Sequence, residues 1–179
     1  MPLFLLLGSQ AVAQNHHNKV ETFAGAGWTR FDGDEGSLGN GPGAVGGIGY
    51  RLASRASVEL DLMRLQHQRN FSSGVRFEGT ATGVFGDLAY HFSEARTQPF
   101  VMASAGVLHS SRTSNFPEPG GAASVIRSHD NTLTWGGGAG VKIFLNLKLS
   151  LRPQFRGLYS EAAGVLGLLA GSVAIGYHW

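Results

Sequence analysis

From Ser57 to Met63 the chain alternates at every step: Val58, Leu60 and Leu62 share one parity, and Ser57, Glu59, Asp61 and Met63 share the other. Successive side chains of an extended chain point to opposite faces, so a strand separates these carboxylates from the leucines, whereas a helix would scatter them among the leucines. The same period of two recurs along most of the chain after about Val20. Ile48, Tyr50 and Leu52 oppose Gly47, Gly49 and Arg51. Val84, Leu88, Tyr90 and Phe92 oppose Gly83, Asp87 and His91. Trp135, Ala139, Val141 and Ile143 oppose Gly136, Gly138, Gly140 and Lys142, and Leu149, Leu151 and Phe155 oppose Ser150, Arg152, Gln154 and Arg156. The first segment sets Ala24, Ala26 and Trp28 against Gly25, Gly27 and Thr29.

Turn-forming residues divide these segments into about eight strands. They are expected over residues 20–31, 43–52, 57–63, 77–92, 99–109, 132–145, 147–159 and 163–179. The links near residues 54, 95 and 146 are short, and those near 37, 71, 120 and 161 are longer. Polar loops are expected at 32–42, 66–76 and 110–131. Alternately short and long connections are the rhythm of a membrane barrel with tight periplasmic turns and longer outer loops. Composition agrees: only 15% of residues are charged, where a soluble domain has about 25%. The 27 glycines suit a narrow lumen, and a mean hydropathy near zero is what alternating lipid-facing and lumen-facing residues produce. The expected fold is all-β: a closed, antiparallel, up-and-down transmembrane β-barrel of about eight strands, with both ends on the periplasmic side.

Residues 1–13 are expected to be a signal peptide, with an apolar run from Leu3 to Leu7 and cleavage after Ala13 in Ala11-Val12-Ala13. No Lys or Arg precedes the apolar run, which suggests a truncated basic start. Residues 14–19 are expected to be a disordered linker, and 20–179 the barrel. The absence of cysteine excludes disulfides and thiolate metal sites. A net charge of +2, with eleven arginines scattered rather than clustered, excludes a nucleic-acid arm.

The chain ends Val173-Ala174-Ile175-Gly176-Tyr177-His178-Trp179, with Val173, Ile175, Tyr177 and Trp179 on one parity and an aromatic residue last. This resembles the C-terminal signal of outer-membrane barrels. Together with the apolar N-terminus and the glycine- and aromatic-rich strands, it makes residues 20–179 similar to the small OmpA/OmpX-type barrel family. The resemblance implies a bacterial outer-membrane location and recognition of those four residues by the barrel-assembly machinery. The chain departs from the OmpA pattern by ending at the barrel, so no peptidoglycan anchoring is expected. Aromatic rings favour the membrane interface, and Trp28, Tyr50, Tyr90, Phe92 and Trp135 near the strand ends are candidates for the two girdles.

If the leucine faces meet lipid, the opposite faces carry Arg51, Glu59, Asp61, Asp87, Lys142, Arg152 and Arg156 into the lumen. Unpaired buried charge is costly, so a salt-bridged plug that blocks conduction is expected. Glu59, Asp87, Lys142 and Arg152 should lie at similar heights. Arg64, on the leucine parity at the outer end of its strand, can snorkel toward lipopolysaccharide phosphates, and Arg69, Arg76, Arg112 and Arg127 in the outer loops can join it.

Other motifs fail in context. Gly41, Gly43 and Gly46 match a dinucleotide fingerprint, but a loop precedes them and a strand follows. His109, Ser111 and Glu118 suggest a lipid A deacylase triad, yet Arg112 follows Ser111 where that family has asparagine, and the surroundings are loop-like. His16, His17, His67, His109 and His129 show no metal-ligand spacing. Residues 162–177 are apolar, with Gly167 and Gly171 in helix-dimer spacing, but the stretch is short for a spanning helix and rich in glycine. The expected function is non-enzymatic: a monomeric outer-membrane barrel, without cofactor or metal, whose extracellular loops carry a structural or surface-interaction role among lipid, lipopolysaccharide and an extracellular partner. The alternatives are a lipid A-modifying enzyme and a narrow porin-like channel.

Overall fold

A computed structural model of the chain describes residues 19–33, 36–70, 76–117, 123–160 and 166–179. The expected signal peptide, residues 14–18 of the linker, and Glu118 lie outside the described residues. Eight strands follow in order: β1 (Val20–Gly33), β2 (Gly36–Ala53), β3 (Ala56–Asn70), β4 (Arg76–His91), β5 (Thr97–Pro117), β6 (Ala123–Phe144), β7 (Leu149–Ser160) and β8 (Leu166–His178). Each pairs antiparallel with its neighbours in sequence, and β8 pairs with β1, which closes the barrel. Among the described residues no helix is long and apolar enough to cross a membrane. Gly167 and Gly171 sit on a strand instead, paired with Asp32 and Trp28.

Closure gives every strand two partners, so the backbone donors and acceptors within the bilayer are satisfied by the ladder itself. A row of paired residues traced around the barrel from Gly140 through Gly27, Leu65 and Ser110 returns to β6 at Asp130, ten residues from its start. That stagger makes the strands tilt against the barrel axis. Successive positions along a row therefore climb toward the long hairpins in going from β1 to β5.

Burial follows the parity read in the sequence. Leu60, Leu62, Val84, Leu88, Val101, Val107, Val173 and Ile175 are all exposed on the outer wall, and the intervening residues point inward. Tyr50, Tyr90, Phe92, Tyr177 and Trp179 ring the short-turn end, where Tyr177 and Trp179 meet edge-on at 4.9 Å. Trp28, Trp135 and Tyr159 mark the opposite level, the last two with ring centroids 5.2 Å apart. From Val20, paired with Tyr50, to Trp28 is eight residues of β1, or roughly 25 Å of strand.

The short turns are built locally. Asn146 Oδ1 accepts from the backbone amides of Lys148 and Leu149, both at 2.8 Å, and so closes the β6–β7 link. At the other end, Phe31 pairs with Gly39 but Asp32 pairs with Ser37. The skipped residue makes a bulge, and Gly39 has a φ of +127°, a conformation open to glycine but not to residues with a Cβ.

The long connections differ from the sequence expectation. The described residues within 32–42, 66–76 and 110–131 are strand. β2 begins at Gly36, β3 runs to Asn70, and β5 and β6 remain paired as far as Pro117 and Ala123. The strands continue past the aromatic level, where no lipid demands an apolar outer face. Polar residues enter both faces there beside the exposed Leu133 and Ile126, and the period-two signal fades although the ladder does not.

Candidate functional site

The lumen is filled in layers, each set by one parity of each strand. At the short-turn end, odd positions of β1 bring in Glu21 and Phe23, and even positions of β6 to β8 bring in Lys142, Ser150, Arg152 and His178. Lys142 Nζ donates to Glu21 Oε2 in a buried ion pair. Ser150 Oγ donates to Glu21 Oε1 at 3.4 Å and lies 2.9 Å from His178 Nε2. Across the lumen, Ser57 Oγ donates to Glu59 Oε1 at 3.2 Å and sits 3.2 Å from His91 Nε2. Arg51 is half-buried at the rim, where it donates to the Ser54 carbonyl at 3.1 Å and to Gln98 Oε1 at 3.2 Å.

The next layer is ionic and closed to bulk solvent. Arg152 contacts Glu59 Oε2 at 2.6 Å, and its guanidinium carbon is 4.7 Å from the ring centroids of both Phe23 and Phe100. Two aromatic faces thus flank a cation held by a carboxylate. Arg156 donates to Asp61 at 2.6 Å and to Asp87 at 2.5 Å, so one guanidinium serves two carboxylates. Arg152, Arg156 and Asp61 are 0–1% exposed. Ions buried to this degree lose their hydration and persist only where partners replace it.

Toward the long-hairpin end the lumen becomes apolar. Met63, Leu65, Phe85, Leu108, Leu158 and Leu168 form one buried cluster across it, with Ala81 and Ala170. Gly83 makes room for it, since a Cβ there would collide with the Phe85 ring. Met63 and Leu65 continue the parity of Glu59 and Asp61, and Phe85 that of Asp87, so the apolar layer follows the charges along the same inward faces.

The seven charged residues expected in the lumen stand on the inward parity, with Arg51 at the rim, and the four placed at similar heights are divided among different partners. Glu59 and Arg152 meet, whereas Lys142 goes to Glu21 and Asp87 to Arg156. Glu21 escaped the sequence reading because Phe23 beside it broke the alternation of β1. Extending the Gly25, Gly27 and Thr29 parity backward would have found it. With Glu21 included, four cations face four carboxylates. Glu59, Asp61 and Asp87 bring one oxygen each within 4.8 Å of one another, a geometry open to a metal ion. Arg152 and Arg156 already answer that charge, so the residues fit an ion-paired plug better than a metal centre.

The rim residues are placed as follows. Arg64 is exposed on the outer face of β3, and Arg127 is exposed on β6, paired with Thr113. Arg112 is exposed too, but on the parity that continues the lumen wall rather than the lipid face, and on a strand rather than in a loop. Arg69 and Arg76 lie at the outer ends of β3 and β4, and their side chains are outside the described set. His109 Nδ1 is 2.7 Å from Asn131 Oδ1 and its ring stacks near His129, while Ser111 is paired with His129, so the His109–Ser111 pairing expected of a triad is not formed. At the other end, Val173 and Ile175 are exposed outward with Trp179, and Trp179 donates its amide to the Val20 carbonyl at 2.9 Å.

Residues 2–164 match the model of a family described as "Outer membrane protein beta-barrel domain". No curated protein is similar enough in sequence to count as a relative. Among solved structures, Neisserial surface protein A superposes with a TM-score of 0.69 at 15% identity, covering 89% of this chain and 97% of its own. A major outer membrane protein from Thermus thermophilus gives 0.65 at 16%, covering 92% and 100%. Ail, the attachment invasion locus protein of Yersinia pestis, crystallised with the heparin analogue sucrose octasulfate, gives 0.60 at 13%, covering 90% and 99%. Those identities carry the fold alone, and the fold is the one described above. An eight-stranded closed barrel, a lipid-facing apolar wall and a family match over most of its length make this chain a member of the outer membrane protein β-barrel domain family, resident in the bacterial outer membrane.

Proposed function

We propose that this barrel is a sealed, non-enzymatic and monomeric stand whose work is done at the cell surface by the β5–β6 hairpin and the neighbouring strand ends. The observation that carries this reading is the contrast between lumen and rim. The lumen stacks an ion-paired layer beneath an apolar one, and water and ions meet a dry barrier at the second. The rim instead projects a long polar hairpin, paired to Pro117↔Ala123, with Arg127, Ser128, His129 and Asp130 exposed. A rigid scaffold that presents variable polar chemistry on its extensions is a common arrangement for recognition. Outer-leaflet lipopolysaccharide would meet Arg64 and Arg127, and Arg112 faces above the lumen instead. The strand ending in Val173, Ile175, Tyr177 and Trp179 would be read by the assembly machinery before closure.

Replacing residues 110–131 with a short turn tests the surface role. The shortened barrel should keep its heat-shifted band on unboiled gels and lose capture of surface ligands by whole cells. Retained capture would remove the hairpin from the reading. In planar bilayers the purified wild-type monomer should show no reproducible conductance steps. Discrete steps would make the protein a channel.

A further inference from the structure

The three short turns repeat one pattern: an exposed apolar residue, then an exposed cation a few residues on. Leu52 is followed by Arg55 at the β2–β3 link, and Phe92 by Arg96 at the β4–β5 link. At the β6–β7 link Leu145 and Leu147 are followed by Lys148. Lys19, exposed just ahead of β1, adds a fourth cation to the same end. Among the described residues Glu94 is the one exposed carboxylate side chain there, and residues 1–18 contain no Asp or Glu.

These cations are held from turn to turn. Arg55 Nε lies 3.3 Å from Glu94 Oε1, which joins the first turn to the second. Arg96 Nε donates to the Phe144 carbonyl at 2.8 Å, and the Phe144 amide donates back to the Arg96 carbonyl at 2.9 Å, which joins the second to the third. Arg96 therefore acts mainly as a brace. Both members of the Arg55–Glu94 pair are exposed, and an ion pair of that kind contributes little, so Arg55 can also serve a phosphate. Lys148 lies in a turn closed by the Asn146 side chain rather than by its own.

We propose that this rim binds the phosphate groups of anionic phospholipid in the periplasmic leaflet. Short turns face the periplasm in barrels of this kind. Tyr50, Tyr90, Phe92, Tyr177 and Trp179 mark the headgroup level at this end, and Lys19, Arg55 and Lys148 stand at its edge. The exposed Leu52, Leu145 and Leu147 beside them hold the turns against acyl chains, so the cations meet headgroups rather than a soluble acidic protein. A zwitterionic headgroup sets its own amine against its phosphate, whereas a glycerol-type headgroup leaves the phosphate charge for the protein. A rim on which exposed cations outnumber exposed carboxylates favours the second. The inference concerns the end opposite the β5–β6 hairpin and goes beyond the surface reading above.

Native mass spectrometry of the purified full chain in nonionic detergent tests this, with equal amounts of a phosphatidylglycerol and a phosphatidylcholine of the same acyl length. The anionic lipid should be retained about fivefold or more over the zwitterionic one, as expected for a few cations close to phosphate. The variant Lys19→Gln/Arg55→Gln/Lys148→Gln should lower that preference to about twofold or less. Its heat-shifted band should stay unchanged, since all three residues are exposed. Lys148→Glu alone leaves the Asn146 closure in place, should lose part of the preference, and serves if the triple variant fails to fold. Arg64→Gln/Arg112→Gln/Arg127→Gln removes the same charge at the other end and should keep the larger share of the preference. No preference in the wild type, or one retained in both rim variants, overturns the proposal and leaves the cations to a soluble acidic partner. A loss as large in the outer-end variant sinks the assigned location. Abolition of the preference by millimolar inorganic phosphate would make the rim a free-phosphate site and overturn the assigned source. Exchange of residues 110–131 leaves every rim residue in place, so the hairpin and the rim fail separately.

Discussion

Arg156→Ala is expected to destabilise the folded barrel by about 3–5 kcal/mol, the usual cost of removing one partner from a buried ion pair. Arg156 is the shared partner of Asp61 and Asp87, at 2.6 and 2.5 Å, and both carboxylates are nearly inaccessible. Alanine would leave them facing each other without a counter-charge, and the cavity would admit water only at the expense of the apolar layer above. Urea unfolding in lipid vesicles, followed by loss of the heat-shifted band, reads the change. The triple variant Arg156→Met/Asp61→Asn/Asp87→Asn removes the charges together and should recover most of the loss, because a neutral lumen has no unpaired ion to hold. Wild-type stability in Arg156→Ala would mean that the carboxylates are already hydrated and that the layer is not dry.

Phe85→Ala should be comparably damaging, about 3–5 kcal/mol for a fully buried ring in a well-packed site. Phe85 is inaccessible to solvent and joins the two layers, with the Arg156 guanidinium carbon 5.8 Å from its ring centroid on one side and the leucine cluster on the other. Phe85→Leu should cost clearly less, since it keeps the layer apolar and most of its volume. The same unfolding assay separates them. Equal losses for the two variants would assign the effect to ring-specific contacts with Arg156 rather than to the filled layer.

Much of this architecture was legible from residue order. The alternation of Val58, Leu60 and Leu62 with Glu59 and Asp61, repeated across the strands, specifies extended segments with one apolar and one mixed face. Alternately short and long links order those segments into hairpins. The inward set of seven charges follows from the same parity. What parity could not supply was the third dimension. Glu21 and Lys142 are 121 residues apart, and they meet because β1 and β6 face each other across the lumen. Which carboxylate each arginine takes depends on the ten-residue stagger around the barrel, a property of closure that no single strand encodes.

Sequence alone determined that the chain crosses the membrane as strands, because only period two separates its carboxylates from its leucines. It also determined which residues of the regular segments turn inward. Tertiary structure alone decided where lipid contact ends, since beyond Trp28 and Trp135 polar residues occupy both faces and alternation no longer marks a strand. It also decided that the lumen is layered. Phe85, Leu108 and Leu168 come from β4, β5 and β8, and only the closed wall brings these inward positions together as one apolar layer.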